Sequence, residues 1–306
     1  MTDQSNTRHV VMWSGGITSW ATARHVIAEH GKASVTLLFA DTHAEDEDLH
    51  RWNNDAARQL GMPFFTVADA EKRDPWQVFD DASWIGNTRL AQCSHILKQI
   101  PVRKWLDRAA DPADTVLYLG IDWSETHRIP GIRKGYAHTS AGCKHGRCAS
   151  LFDEEGRRLS GPGCANLLPV PWRVEFPLTK PPYRDKRQLL AEAEEAGLKR
   201  PRLYDLGFAH NNCAGMCVKG GQAQWARLLE VFPERFAKVE AFEQRMRERL
   251  GKDVSILRDR RGGKTKPLTL AALRQRIEAE RHAAPSLLDL IDGDDWGGCG
   301  CFTDAA

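Results

Sequence analysis

Val10-Val11-Met12-Trp13-Ser14-Gly15-Gly16-Ile17-Thr18-Ser19 reads as a strand, a tight turn and the start of a helix within ten residues. The first four residues are an apolar run that suits a buried strand, and Gly15-Gly16 punctuates it. From Ile17 onward, Ile17, Trp20, Ala21, Ala23, Val26 and Ile27 fall at helical spacing, with Gly31 where such a helix would end. Glycines at this junction let backbone N–H groups converge on an anion without interference from a Cβ. The hydroxyls of Ser14, Thr18 and Ser19 add donors, and the helix N-terminus adds positive potential. A polyphosphate needs this combination, although a plain structural turn can use the same residues. A Walker-type loop would carry a lysine after its last glycine, where this chain has Ile17.

Working outward, strands alternate with helices. Residues 35–40 suit a second strand and 45–60 a charged amphipathic helix closed by Gly61. Residues 63–67 suit a third strand, 96–110 a helix with Pro101 in an early turn, and 115–120 a fourth strand. Residues 174–178 suit a fifth strand and 185–196 a helix. This alternation predicts an α/β fold, with a doubly wound, Rossmann-like five-stranded parallel sheet and a mostly helical C-terminal region. Ligands of such sheets sit outside the carboxyl ends of the strands. Asp41 and Thr42, at the end of the second strand, are therefore expected beside the glycine turn, within reach of an adenine or ribose. Residues 1–220 are expected to form the nucleotide domain, with a Cys-rich insertion at 139–169. Residues 221–290 would form a helical, basic region, and 291–306 a mobile tail containing Cys299 and Cys301.

The 306 residues are 42% hydrophobic, enough for a sizeable core, and the formal net charge of +2 imposes no global field. The first eight residues are polar and lack a signal-peptide core, and no apolar run approaches the roughly 20 residues of a membrane helix. A cytoplasmic protein is the expectation. Eight cysteines in a chain of this size point to free thiols or metal ligation before disulfides. Residues 233–282 hold fourteen Lys/Arg against eight Asp/Glu. Within them Arg258-Asp259-Arg260-Arg261-Gly262-Gly263-Lys264-Thr265-Lys266 suits an exposed hairpin-like loop. It is either a solvated loop or a contact for nucleic-acid phosphates. Trp20 and Trp105 fall on apolar helix faces and are expected in the core.

The S-G-G-x-x-S turn, followed by a strand ending Ala40-Asp41-Thr42, resembles the PP-loop of the adenine nucleotide α-hydrolase superfamily. Three further segments resemble its phosphoadenosine-phosphosulfate (PAPS) reductase branch. They are Cys93-Ser94-His95-Ile96-Leu97-Lys98-Gln99-Ile100-Pro101, then Gly120-Ile121-Asp122-Trp123-Ser124-Glu125-Thr126-His127-Arg128, and Leu203-Tyr204-Asp205-Leu206-Gly207-Phe208 leading to Cys213 and Cys217. Together these span roughly residues 8 to 220. The resemblance implies ATP held by Ser14, Gly15, Gly16, Ile17, Thr18 and Ser19, with Asp41, Thr42, Gly120 and Asp122 completing the nucleotide site. It implies cationic contacts from Lys98 and Arg128 to phosphate oxygens, and a Glu125 that fixes Arg128 or helps hold Mg2+. The implied activity is ATP pyrophosphatase: release of AMP and pyrophosphate while a second, unidentified acceptor substrate is adenylated.

In cluster-bearing relatives a cysteine pair near this position joins cysteines near position 93 around a 4Fe–4S centre, which takes four cysteines when complete. Cys93, Cys213 and Cys217 match three of them. The family's tandem Cys-Cys is Gln92-Cys93 here, and Cys213 and Cys217 are separated by three residues where the family has two. Cluster ligands, a zinc site and plain thiols are all open readings, as is structural zinc or a metal-free loop for Cys143, Cys148 and Cys164. The tail Gly297-Gly298-Cys299-Gly300-Cys301 is similar to the nucleophilic tail of PAPS reductases but lacks its flanking Glu and His. Two rival functions are thus thiol- or cluster-dependent reduction of a sulfonucleotide, and a nucleotide-binding accessory role in a CRISPR, DNA-modification or mobile-element locus.

Overall fold

The computed structural model describes residues 7–85, 92–138 and 167–283. A continuous apolar run, buried on both faces, makes β1 (Arg8–Trp13) the centre of the sheet. Around it in chain order come α1 (Ile17–His30), β2 (Val35–Asp41), α2 (Glu47–Leu60), β3 (Phe64–Ala68), α3 (Pro75–Asp81), α4 (Ile100–Ala109), β4 (Thr115–Tyr118), α5 (Ile129–Tyr136), β5 (Arg173–Glu175) and α6 (Lys186–Glu195). The five strands are all parallel, in the order β3-β2-β1-β4-β5, with Val11 opposite Leu37 on one side and Tyr118 on the other. The protein is an α/β protein with the five-stranded parallel sheet expected from the sequence. The strand order reverses between β1 and β4. In open α/β sheets that switch point leaves a crevice at the carboxyl ends of the two strands.

The period of two along β1 divides the core between two faces. Val11 and Trp13 join Trp20, Leu49, Trp52 and Leu189 under α1, α2 and α6. Val10 and Met12 join Val102, Leu106, Ile132 and Tyr136 under α4 and α5. Helices therefore cover both faces. Trp20 is fully buried as expected, whereas Trp105 is only partly buried and packs at the margin of the second cluster.

Two boundaries differ from the sequence reading for identifiable reasons. The helix expected from residue 45 starts at Glu47 because Asp46 is its N-cap, accepting the Asp48 N–H at 3.0 Å. Glu45 is thereby left outside the helix. The helix expected over 96–110 opens as a π-helical turn at 95–99, in which the Ile100 N–H donates to the His95 carbonyl. Pro101 explains the widening: it has no N–H for the Leu97 carbonyl, and its ring would crowd that carbonyl in an α-helix.

Beyond the sheet come α7 (Gln222–Val231), α8 (Pro233–Leu250), the antiparallel hairpin β6 (Leu257–Asp259) and β7 (Lys266–Leu268), and α9 (Leu270–Ala283). They share a second core built from Trp225, Phe236, Val239, Met246, Leu268 and Ile277. Phe79, Leu203 and Phe208 belong to the same core, so it draws on chain from both sides of residue 220. Buried Glu243 ties the hairpin to α8 by accepting the N–H groups of Ile256 and Leu270, each at 2.6 Å. Burial pushes its carboxyl above the usual range.

The two cores meet at Asp46, whose side chain is fully buried. Arg202 donates to it through two nitrogens, at 2.7 and 3.0 Å, and Arg235 of α8 donates at 2.8 Å. Burial works against the charged form, but the hydrogen bonds from Arg202 and Arg235 prevail and hold the carboxyl below its usual range. Among the described residues no helix is long and apolar enough to cross a membrane.

Candidate functional site

The turn after β1 depends on two glycines for steric reasons. Gly15 adopts a φ of +74°, and a Cβ there would stand 2.8 Å from Leu49 Cγ. Gly120, following β4, lies so close to the start of α1 that a Cβ would stand 2.8 Å from the Ser19 nitrogen. The loops after the two strands that flank the switch point are therefore in backbone contact. Gly16 is different. Its φ of −93° suits any residue, and a Cβ would meet only Ser14 Oγ at 3.5 Å and Tyr204 Oη at 3.6 Å.

Side chains from distant segments brace this turn. The Asn211 amide donates to the Gly15 carbonyl at 2.9 Å, the Ile17 N–H donates to the Tyr204 hydroxyl at 3.2 Å, and Ser19 Oγ donates to the Gly16 carbonyl at 2.7 Å. Gly16 caps α1 without any side-chain cap bond. The positive end of the α1 dipole is thus presented at the turn.

The turn opens on a pocket of about 660 Å³, continuous with solvent. Ser14, Gly16 and Thr18 line it from the turn, Gly120, Glu125 and Arg128 from the chain after β4, and Lys186 and His210 from the far side. Arg128 donates to Glu125 at 2.5 Å, and Lys186 donates to the Ala209 carbonyl at 2.8 Å. The apolar Met12, Leu119 and Ile121 complete the lining. An anion there would meet backbone amides, hydroxyls and cations, while a planar apolar group could rest on the aliphatic side.

A second, apolar pocket of about 270 Å³ lies nearby and is lined by Cys93, Cys213 and Cys217 with Pro75, Trp76, Met216 and Val218. The segment carrying the pair is unusual: Cys213, Ala214 and Gly215 all have positive φ, at 52°, 49° and 82°. Left-handed conformations at two non-glycine residues cost of order 1 kcal/mol each and persist only when the surroundings enforce them. Here the Cys213 N–H donates to Glu45 Oε2 at 2.8 Å, and Arg235 donates to the Ala214 carbonyl at 3.1 Å. The Glu45 carboxylate is itself buried, accepts from Thr42 Oγ1 at 2.8 Å, and faces the buried Lys98 ammonium at 3.9 Å. A hydrogen bond shared with Cys217, burial and the Glu45 charge push the Cys213 thiol well above its usual range, against the pull of Lys98.

The residues expected at the nucleotide site thus divide into two groups. Ser14, Gly16, Thr18, Gly120, Glu125 and Arg128 line one pocket, while Gly15, Ile17 and Ser19 shape its turn. Asp122 acts from behind, accepting from the N–H and hydroxyl of Ser124 at 2.8 and 2.6 Å to cap the 3-10 turn that carries Glu125 and Arg128. Lys98 and Thr42 are instead joined to Glu45 beside the thiols, and Asp41 accepts the His43 N–H at 2.8 Å. Cys93, Cys213 and Cys217 line one pocket, yet among the described residues no group of three or more His, Cys, Asp or Glu side chains is arranged to hold a metal ion. Cys143, Cys148, Cys164, Cys299 and Cys301 lie outside the described residues.

Sequence reasoning missed Lys186, Tyr204 and Asn211 as lining of the first pocket and Glu45 as the carboxylate that joins Thr42, Lys98 and the Cys213 N–H. Tyr204 stands inside a motif already quoted and Asn211 lies in the segment leading from it to Cys213, but nothing in their spacing aims them at the turn after β1. No family model matches this chain, and no curated protein matches it. The described residues define an α/β protein whose parallel sheet carries a glycine-built turn and a cation-lined pocket at its switch point.

Proposed function

We propose that this chain is an AMP-forming ATP pyrophosphatase of the PP-loop kind, binding ATP with its phosphates against Ser14–Ser19. The observation that carries the reading is the contact of Gly120 with the first turn of α1. It joins the chain after β4, with Glu125 and Arg128, to the N-terminus of α1 at the sheet's switch point. An acceptor oxygen would attack the α-phosphorus. The bond from that phosphorus to the α–β bridging oxygen would break, pyrophosphate would leave, and the acceptor would carry AMP until a nucleophile displaced it.

Arg128 and Lys186 would offset the charge gathering on pyrophosphate, and the Ser14 and Thr18 hydroxyls would orient the phosphates. Mg2+, when bound by the phosphates, supplies Lewis-acid stabilisation, and Glu125 is the carboxylate lining the pocket. Among the described residues three thiols, Cys93, Cys213 and Cys217, line the second pocket, one fewer than a complete four-cysteine cluster takes. No step is therefore assigned to iron.

The test is the product list. Incubation with ATP and Mg2+ should yield AMP and pyrophosphate, resolved by anion-exchange chromatography. ADP and phosphate as the only products would reject the assignment. Sulfite from a sulfonucleotide in the presence of a dithiol would favour the reductase reading, for which the thiol pocket beside the nucleotide turn is the structural argument.

A further inference from the structure

The hairpin β6–β7 is a cationic finger that the nucleotide site does not use. Its Leu257 and Leu268 are opposite each other and buried in the second core, which fixes the hairpin's base against α7–α9. Its orientation is fixed further by Asp259, which receives Arg261 at 3.1 Å within the hairpin and Arg276 of α9 at 2.8 Å. Gln222, at the start of α7, donates to the Arg258 carbonyl at 3.2 Å. What projects is basic. Arg258, Arg260, Lys264 and Lys266 are all exposed, and among the described residues none of the four side chains has an ion pair or hydrogen bond.

Cations in folded proteins commonly find surface carboxylates, as Arg24, Arg51, Arg73, Arg227 and Arg274 do here. Four without partners on one short, anchored ribbon form a local positive field in a chain whose net charge is only +2. Arg258 lies on β6, Arg260 just beyond its end, and Lys264 and Lys266 on the returning arm, so the four cations fall within nine residues of one hairpin. We propose that this hairpin binds the phosphate backbone of a nucleic acid.

The chemistry of the tip decides between partners. Residues 258–266 contain no aromatic or aliphatic side chain, so the tip has nothing to insert into a lipid surface. It likewise has no aromatic ring on which a base could stack, so binding would rest chiefly on phosphate contacts and discriminate little between sequences. Guanidinium forks pair with phosphate oxygens in bidentate fashion, and the Thr265 hydroxyl adds a donor. The inference is independent of the proposed ATP chemistry.

Fluorescence anisotropy of the full chain tests it, with labelled duplex DNA and single-stranded RNA of about 20 nucleotides as separate probes at 50 to 200 mM KCl. Four neutralised phosphates predict a log–log salt slope of about −3 to −4, or roughly a 100-fold loss of affinity over that range. Replacing Arg258, Arg260, Lys264 and Lys266 together by Ser should weaken binding at least about 10-fold and flatten the slope. The single change Arg260→Glu, at an exposed position, should weaken binding without shifting the unfolding midpoint, whereas Lys104→Glu, on α4 of the sheet domain, should not. The proposal is overturned if neither probe binds at 50 mM salt, or if the fourfold variant binds as the parent does. It is equally overturned if Lys104→Glu weakens binding as much as Arg260→Glu, or if only phosphatidylserine vesicles bind.

Discussion

A Cβ placed on Gly120 would stand 2.8 Å from the backbone nitrogen of Ser19, so the chain after β4 and the first turn of α1 can touch only while residue 120 is glycine. The neighbouring atoms are backbone and cannot swing aside. Gly120→Ala should therefore destabilise the protein by about 1–3 kcal/mol and displace the α1 N-terminus. Chemical denaturation measures the first effect, and nucleotide titration calorimetry, with affinity expected to fall, measures the second.

Gly16 separates binding from folding. Its backbone is unstrained and a Cβ would meet nothing closer than 3.5 Å, so Gly16→Val should keep stability within about 1 kcal/mol of the parent. The added side chain enters the pocket where the phosphates are proposed to lie, and ATP affinity should drop at least about 10-fold. A folded Gly16→Val protein that binds ATP as tightly as the parent would move the site elsewhere.

How far these sites could be read from the sequence follows from the range of the interactions involved. The turn at residues 14–19 and the parallel sheet were legible because the apolar periodicities and the glycines that encode them are local. The hairpin around Gly262-Gly263 was legible for the same reason. Asn211 bonding to Gly15, or Arg235 to Asp46, joins residues nearly two hundred positions apart, and no local pattern signals such a pairing. Lys98 was expected at the phosphates but lies against Glu45. Its partner Glu45 is left outside α2 by the Asp46 cap, an arrangement that no local pattern signals. Residues 139–166 and 284–306, with five of the eight cysteines, lie outside what the structure describes.

Asp46 is the buried carboxylate shared by Arg202 and Arg235 as well as the cap of α2, and its loss would leave two partly exposed guanidinium groups without their common partner. Asp46→Ala should cost about 2–3 kcal/mol, from the lost helix cap and from ion pairs whose arginine side is partly screened by solvent. Hydrogen exchange should show α8 and the 213–215 turn losing protection together, because Arg235 also holds the Ala214 carbonyl. Loss confined to α2 would mean that the cap, and not the arginine network, is what matters.

The start of β1 carries a pH dependence remote from both pockets. His9 stacks on His30 at 3.8 Å and shares a 2.9 Å hydrogen bond with the Tyr118 hydroxyl. Burial first, and then the neighbouring His30, bring its pKa from 6.5 down to about 4. The folded state therefore binds fewer protons than the unfolded chain. The stabilisation is fully present above about pH 6.5 and is lost as the pH falls through about 4. Allowing for solvent screening, roughly 1–2 kcal/mol should disappear across that window. His9→Phe, which keeps the stacked ring but cannot titrate, should flatten this part of the stability curve. An unchanged curve would assign the acid sensitivity to other groups.

The buried Glu45 holds three partners at once: the Thr42 hydroxyl, the Cys213 N–H and the Lys98 ammonium. Its removal should therefore act on both charge and backbone. Glu45→Ala strips the carboxylate from a buried lysine and the acceptor from a left-handed turn, and should destabilise by about 3–5 kcal/mol. Glu45→Gln keeps an acceptor for the Cys213 N–H but not the charge, so it should recover the turn and not the ion pair, giving a smaller loss. Adding Lys98→Met to Glu45→Gln removes the ammonium that then lacks a countercharge. If the pair is mainly electrostatic, the double variant should be more stable than Glu45→Gln alone. Urea unfolding of the parent, Glu45→Gln, Lys98→Met and the double variant closes the cycle. Strictly additive losses would show that Lys98 and Glu45, though 3.9 Å apart, do not act on each other.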